Sequence, residues 1–329
     1  MLRRDFITLL GGAAAAWPVA ARAQPSESVR RIGVLMNSTS DDQEARARVT
    51  AFLQALERLG WTSGTNVRIE IRWAANNLSL YHQYSEELVA LAPDVVLAAT
   101  SQSVAALQQV SKKVPIVFAG VIDPVGAGFV KSMARPATNA TGFTAFEYSI
   151  SGKWLELLKE FVPKLKRAAV LRDPALAAGI GQFAVIQSMA ASTQLELSAI
   201  DTRDLGETER ALREFAQEPD GGLILTASPS AFAYRGQIFS LAMQLRLPSI
   251  TPFRYYTAAG GLASYGPDLI SDFPRAAGYV DSILRGAKIS ELPVQAPTSY
   301  KLVVNAKTAR QIGIEVPNTL LSRADEVIE

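Results

Sequence analysis

Polar side chains recur directly behind short apolar runs in this chain, and chemistry would sit there. Asn37, Ser38, Thr39 and Ser40 follow Arg31–Met36. Thr100, Ser101, Gln102 and Ser103 follow Asp94–Ala99. Asp123 comes shortly after Pro115–Ala119, Asp173 after Arg167–Leu171, and Ser228 and Ser230 after Gly222–Thr226. Such runs read as buried strands, and in an open parallel sheet ligands bind beyond the carboxyl ends of the strands. A helix N-terminus carrying Ser or Thr hydroxyls suits a carboxylate, because its first N–H groups lack partners and its end is partly positive. Ser101–Ser103 is the candidate for that role. Asp123 and Asp173, each ahead of a proline, offer carboxylates to a ligand ammonium, and the combination suits a zwitterionic amino acid. The same residue types are favoured helix caps and turn formers, so capping competes with ligand contact at every position. Tyr255 and Tyr256 follow the Ile250 strand and read as loop residues. Their rings would stack on a flat ligand, with packing between lobes as the competing role, and each buried hydroxyl would need a partner. The candidate ligand set is therefore Ser38, Thr39, Thr100, Ser101, Gln102, Asp123, Asp173, Ser228, Tyr255 and Tyr256.

Composition removes most catalytic machinery. The chain has no cysteine and one histidine, His82. That excludes disulfides, thiolate metal sites, cysteine nucleophiles and zinc sites built on several histidines. Any Ser-His-Asp triad would need His82, which lies at the start of a helical stretch and reads as a surface residue. Gly126-Ala127-Gly128 lacks the third glycine of a dinucleotide loop, and no phosphate-loop motif occurs. No cofactor and no metal are expected. The enzymatic alternative is an exported enzyme, for example a hydrolase using Asp123 or Asp173 as base.

Residues 1–23 have the three parts of an export signal: a charged start with Arg3 and Arg4, an apolar stretch and a small-residue cleavage site ending at Ala23. The arginine pair fits the twin-arginine route, and the apolar core would also serve the general secretory one. No cysteine follows the site to take a lipid. The segment carries a net +2, as does the whole chain, so the chain from Gln24 onward is formally neutral. A neutral chain lacks the basic surface that nucleic acid calls for. No later apolar run approaches the roughly 20 residues of a membrane span.

Strand and helix alternate along the rest. Helices are expected over 41–59, 79–91, 101–112, 151–161, 181–193, 207–217 and 231–246, with apolar strands between them. Alternation of this kind implies doubly wound parallel sheets covered on both faces. The length favours two α/β lobes. Asn139–Thr144, rich in turn formers, reads as the first boundary; Gly260–Pro267 and Leu292–Pro297 read as second and third crossings. The expected lobes are 29–143 with about 267–295, and 144–266 with about 296–329, joined by a three-segment hinge.

Asp123–Val130, Arg135–Gly142, Leu292–Thr298, Asn305–Gly313 and Arg323–Glu329 together resemble the tryptophan/tyrosine-type ABC-transporter substrate-binding proteins. The resemblance covers nearly all of the chain after the signal. It implies the type I periplasmic binding fold, closure of the hinge on a small ligand, and delivery to an inner-membrane ABC permease. Some members are linked to aromatic amino acids. By position, the matching strand-end loops hold Ser38, Thr100, Ser101, Asp123, Asp173 and Ser228. The absence of a lipoprotein signal, common in some relatives, points to a free periplasmic protein; the expected protein is a monomer binding an amino acid or an aromatic or carboxylate solute. A ligand sensor presenting the same solute to a membrane receptor is the alternative.

Overall fold

The computed structural model describes residues 29–192 and 195–329, so the expected export signal lies outside the described residues. The first half alternates as expected: β1 (Arg30–Met36), α1 (Gln43–Arg58), β2 (Val67–Trp73), α2 (Leu78–Ala90), β3 (Val95–Ala98), α3 (Ser101–Val110), β4 (Ile116–Val121) and β5 (Ala140–Thr144). The strands form a parallel five-stranded sheet in the order β2-β1-β3-β4-β5. Strand side chains alternate between faces, and both faces are covered. Ile32, Val34 and Met36 of β1 pack with Phe52 and Leu56 of α1, while Leu35 packs with Leu88 of α2 and Leu107 of α3. β2, whose sequence alternates apolar and charged residues, is an edge strand. The polar strand-end residues cap the helices that follow: Asp42 accepts from the Ala45 N–H, and Thr100 from the Ser103 N–H.

The second half continues with α4 (Ser151–Phe161), β6 (Arg167–Arg172), α5 (Ala177–Ala191), β7 (Glu196–Asp201), α6 (Leu205–Phe215), β8 (Gly221–Leu225), α7 (Pro229–Ala233), α8 (Arg235–Gln244), β9 (Ser249–Thr251), α9 (Arg254–Ala258), β10 (Ala263–Gly266), α10 (Asp272–Leu284), β11 (Lys301–Asn305), α11 (Ala306–Ile312), α12 (Asn318–Leu321) and β12 (Glu326–Ile328). Its sheet has seven strands in the order β12-β11-β10-β9-β8-β6-β7, and β11 runs antiparallel to β10. Two expectations shift. The single helix over 231–246 is two helices that meet at Tyr234, because Ser228 caps an earlier start with Pro229 in the first turn. The helix expected from Gly181 begins at Ala177, where Gly179 lets the helix close on the Asp173 backbone; a Cβ there would collide with the Asp173 carbonyl.

The chain passes between the sheets more than once. Asn139–Thr144, read as a boundary loop, is almost wholly the buried strand β5, and the first passage follows it at Ala145–Glu147. Small residues allow this. Gly142 has φ +148°, and a Cβ there would overlap the Phe118 carbonyl and come within 2.6 Å of the Phe118 nitrogen. After β10 the chain returns, and α10 lays Phe273, Ala276, Ala277 and Val280 on the first sheet beside α1. Trp61 donates to Asp281 of α10 at 2.8 Å. Gln295 then flanks β5, its N–H donating to the Gly142 carbonyl, before the chain re-enters the second sheet as β11.

Asp272 opens α10 and is buried, with Oδ1 accepting from Arg275 at 3.0 Å and Oδ2 unpartnered. Burial pushes its carboxyl up to about 6; Asp268 adds to the rise, while Arg275 and the more distant Arg48 oppose it. The folded protein therefore holds this proton more tightly than the unfolded chain. The stabilisation is full below the unfolded value of 3.8 and is lost as pH rises through about 6. Asp272→Asn is expected to be more stable than the parent at about pH 7.5, by on the order of 1–3 kcal/mol. The gap should close toward about pH 4.5 in paired thermal melts.

Candidate functional site

A cavity of about 260 Å³ lies between the two sheets, at the carboxyl ends of their strands. The first sheet contributes Asn37 after β1, Thr100, Ser101 and Gln102 at the start of α3, Gly120 and Ile122 around the end of β4, and Arg48 from α1. The second contributes Ala175–Ala178 at the start of α5, Ala227–Pro229 after β8, Phe232 of α7, and Phe253 and Tyr255 after β9. Tyr148 and Leu269 complete it from the connecting segments.

The walls divide by chemistry. Phe232, Phe253 and Tyr255 form an aromatic side: Phe253 stacks on Tyr255 at 5.3 Å between centroids, and Phe232 meets Tyr255 edge-on at 4.9 Å. The Arg48 guanidinium lies 5.4 Å from the Tyr255 ring centroid. Arg48 is only 4% exposed, its Nε has no hydrogen-bond partner, and its Nη2 reaches Glu44 at 3.5 Å. Asn37 is 5% exposed and its Oδ1 is likewise unpartnered. Both side chains line the cavity with a buried polar atom free to take a hydrogen bond, an arrangement that is costly in a folded protein. The α3 N-terminus also lines the cavity, with Thr100 as its cap and Ser101 and Gln102 in its first turn. Burial raises the Tyr255 phenol above its usual range, and burial followed by the Asp123 charge raises that of Tyr148, so both stay neutral donors.

Of the ten residues read from the sequence, the structure brings Thr100, Ser101, Gln102, Ser228 and Tyr255 together in the cavity. Ser228 also caps α7 and shares a hydroxyl cluster with Thr202 and Ser230. The other five lie off the lining. Ser38 is buried in the β1–α1 loop, with its carbonyl accepting from the Ala75 N–H, and Thr39 is exposed. Asp123 has φ +40° and turns its carboxylate onto the Gly126 N–H at 2.9 Å. Asp173 accepts from the Ala175 N–H at 2.9 Å and sits 4.0 Å from Arg203. Tyr256 is wholly buried and off the lining, its ring 4.4 Å from that of Tyr255 between centroids and near Phe239 and Phe253. The pair is in helix α9 rather than a loop. Successive helical residues point about 100° apart, and of the two only Tyr255 reaches the lining.

Arg48 was missed, although its signal is in the sequence. The buried face of α1 is Ala45, Arg48, Val49, Phe52, Ala55 and Leu56, a helical stripe with one charged member. Asn37 stands among the strand-end polar residues but outside the ten candidates, and Tyr148, Phe232 and Phe253 look like ordinary loop or core residues. Arg235 of α8 forms an ion pair with Asp42, the α1 cap, and the Arg235 guanidinium lies 4.0 Å over Phe232 of the cavity lining. Among the described residues no cluster of His, Cys, Asp and Glu could hold a metal, and no helix is long and apolar enough to cross a membrane.

Comparison with known proteins follows the same lines. Residues 29–328 match the family model described as ABC transporter substrate binding protein. The tyrosine-binding protein of Clostridioides difficile (strain R20291) is 24% identical over 270 residues, covering 80% of this chain and 76% of its own. A conserved domain protein from Vibrio cholerae O1 biovar eltor overlays with a TM-score of 0.85 at 26% identity, over 91% of this chain and 100% of its own. An ABC domain from Streptococcus pneumonia, solved in complex with L-Trp, overlays with a TM-score of 0.84 at 22% identity, over 92% of this chain and all of its own.

Proposed function

The chain belongs to the ABC transporter substrate binding protein family, and on that premise we propose that it is the periplasmic solute receptor of an ABC importer. The family binds solutes and is not catalytic, so the hydrolase alternative falls away. In this reading a small amino acid, aromatic or carboxylate solute enters the cavity between the lobes. The lobes, 29–143 with about 267–295 and 144–266 with about 296–329, close about the hinge, and the closed form docks on an inner-membrane permease. The observation that carries the reading is the cavity: both sheets line it, and it combines an aromatic wall, a buried guanidinium and a helix N-terminus. Arg48, Asn37, Ser101, Gln102, Ser228 and Tyr255 are its proposed ligand contacts. A relative named for tyrosine and another solved with tryptophan support a solute with an aromatic ring.

Closure requires that the ligand bind the closed form better than the open one. Small-angle scattering should show a smaller radius of gyration on saturation with a binding solute, and a thermal-shift screen of aromatic acids and amino acids should find that solute. Absence of both effects across the screen would sink the proposal.

The Asp42–Arg235 ion pair joins the lobes and is expected to favour the closed form. Arg235→Ala should leave the lobes folded and weaken ligand binding by about fivefold, the scale of a partly exposed ion pair. Titration calorimetry checks the affinity, and scattering should show the unliganded variant more open than the parent.

A further inference from the structure

We infer that the cavity selects a carboxylate without an ammonium group beside it: an aromatic monocarboxylate rather than an aromatic amino acid. The inference deepens the receptor reading and rests on it.

Among the described residues, Arg48 is the one charged side chain in the lining of the cavity. Arg48 lines it, buried and with its Nε unpartnered, and the start of α3 adds unpaired N–H groups. No aspartate or glutamate lines it. Each nearby carboxylate is already engaged or faces away. Asp123 is turned onto its own loop at the Gly126 N–H, and Asp173 accepts from the Ala175 N–H with Arg203 nearby. Asp272 is buried against Arg275. Glu44 reaches Arg48 at 3.5 Å and lines an adjoining cleft together with Arg254, Asp268, Lys301 and Glu326.

A ligand ammonium in this space would meet neutral acceptors alone, Ser and Thr hydroxyls and the Asn37 and Gln102 carbonyls. It would also share the cavity with a guanidinium. Neutral acceptors can hydrogen-bond an ammonium, but they do not offset its desolvation as a carboxylate does. A monoanion faces the opposite balance. Its carboxylate meets Arg48 and the α3 N-terminus, and its ring meets Phe232, Phe253 and Tyr255.

The test compares ligands that differ in one group. Titration calorimetry on the purified protein would use 3-(4-hydroxyphenyl)propionate, L-tyrosine and tyramine, then indole-3-propionate, L-tryptophan and tryptamine. The propionate of at least one ring is expected to bind at least tenfold tighter than its amino acid, and the amine not to bind. An amino acid that binds as tightly as its propionate, or tighter, overturns the inference while leaving the receptor reading intact, as does tight binding of an amine. Failure of all six to bind would overturn the aromatic-solute reading and the inference together.

Discussion

Arg48→Met should abolish ligand-induced stabilisation and lower affinity for a carboxylate ligand by on the order of a hundredfold, while raising the melting temperature of the empty protein. The two effects have one cause. Arg48 sits on the apolar face of α1, packed with Ala45, Val49 and Phe52, and its Nε is buried without a partner. Burying a guanidinium incompletely paired costs stability, and an unbranched apolar side chain of similar length relieves that cost. In the receptor reading proposed above, a ligand carboxylate would supply that partner. Removing one side of a buried, hydrogen-bonded charge pair typically costs about 2–5 kcal/mol of binding energy. Titration calorimetry reads the affinity, and thermal melts with and without ligand read the stability. Arg48→Lys should fall between, since an ammonium keeps the charge but not the planar fork or its stacking on Tyr255. If Arg48→Met left affinity intact, Arg48 would be a packing residue, and the anion site would reduce to the α3 N-terminus.

Gly142→Ala should destabilise the protein by about 3 kcal/mol or more, because an overpacked contact and a strained backbone add at one residue. Gly142 lies in β5, immediately before the first passage between lobes, at φ +148° and with its Cα facing the Phe118 backbone of β4. A methyl group there would force the two strands apart. Gly128 is the control. It also has a positive φ, +76°, but nothing lies within 4 Å of an added Cβ. Gly128→Ala should therefore cost only about 1 kcal/mol, the penalty of the left-handed backbone alone. Urea unfolding of the two variants and the parent separates steric from conformational cost. Equal losses at both positions would show that the Phe118 contact relaxes freely.

Much of the fold was legible because its signals are local. Apolar runs of strand length, spaced by amphipathic stretches, marked the doubly wound sheets, and the charged alternation of Val67–Trp73 marked an edge. Capping residues placed the helix starts within a few positions, closely at Thr100 and less so at Ala177, where a close backbone approach extended the helix. Asn139–Thr144 misled because its turn-forming composition suits two situations. Thr141, Gly142 and Thr144 are small enough for a crowded strand, and the crowding comes from β4 and Gln295, which no local window contains. The candidate site was half legible. Strand-end polar residues can be found by position, and five of the ten line the cavity. Their orientation could not be read: Asp123 and Asp173 spend their carboxylates on their own turns, and the α9 helix aims Tyr255 and Tyr256 differently.

The sequence by itself determined the two-sheet α/β plan, the exclusion of cysteine and multi-histidine chemistry, and the strand ends where a ligand would meet polar groups. Those follow from residue type and from spacing within a strand or a helical turn. The tertiary structure alone decided which side chains share the cavity. It set Arg48 of the first sheet's α1 against Tyr255 of the second sheet's α9, and it left every nearby carboxylate outside the lining. Charge balance in a cavity depends on which distant side chains share a low-dielectric space, and only the packing of the two lobes brings them there.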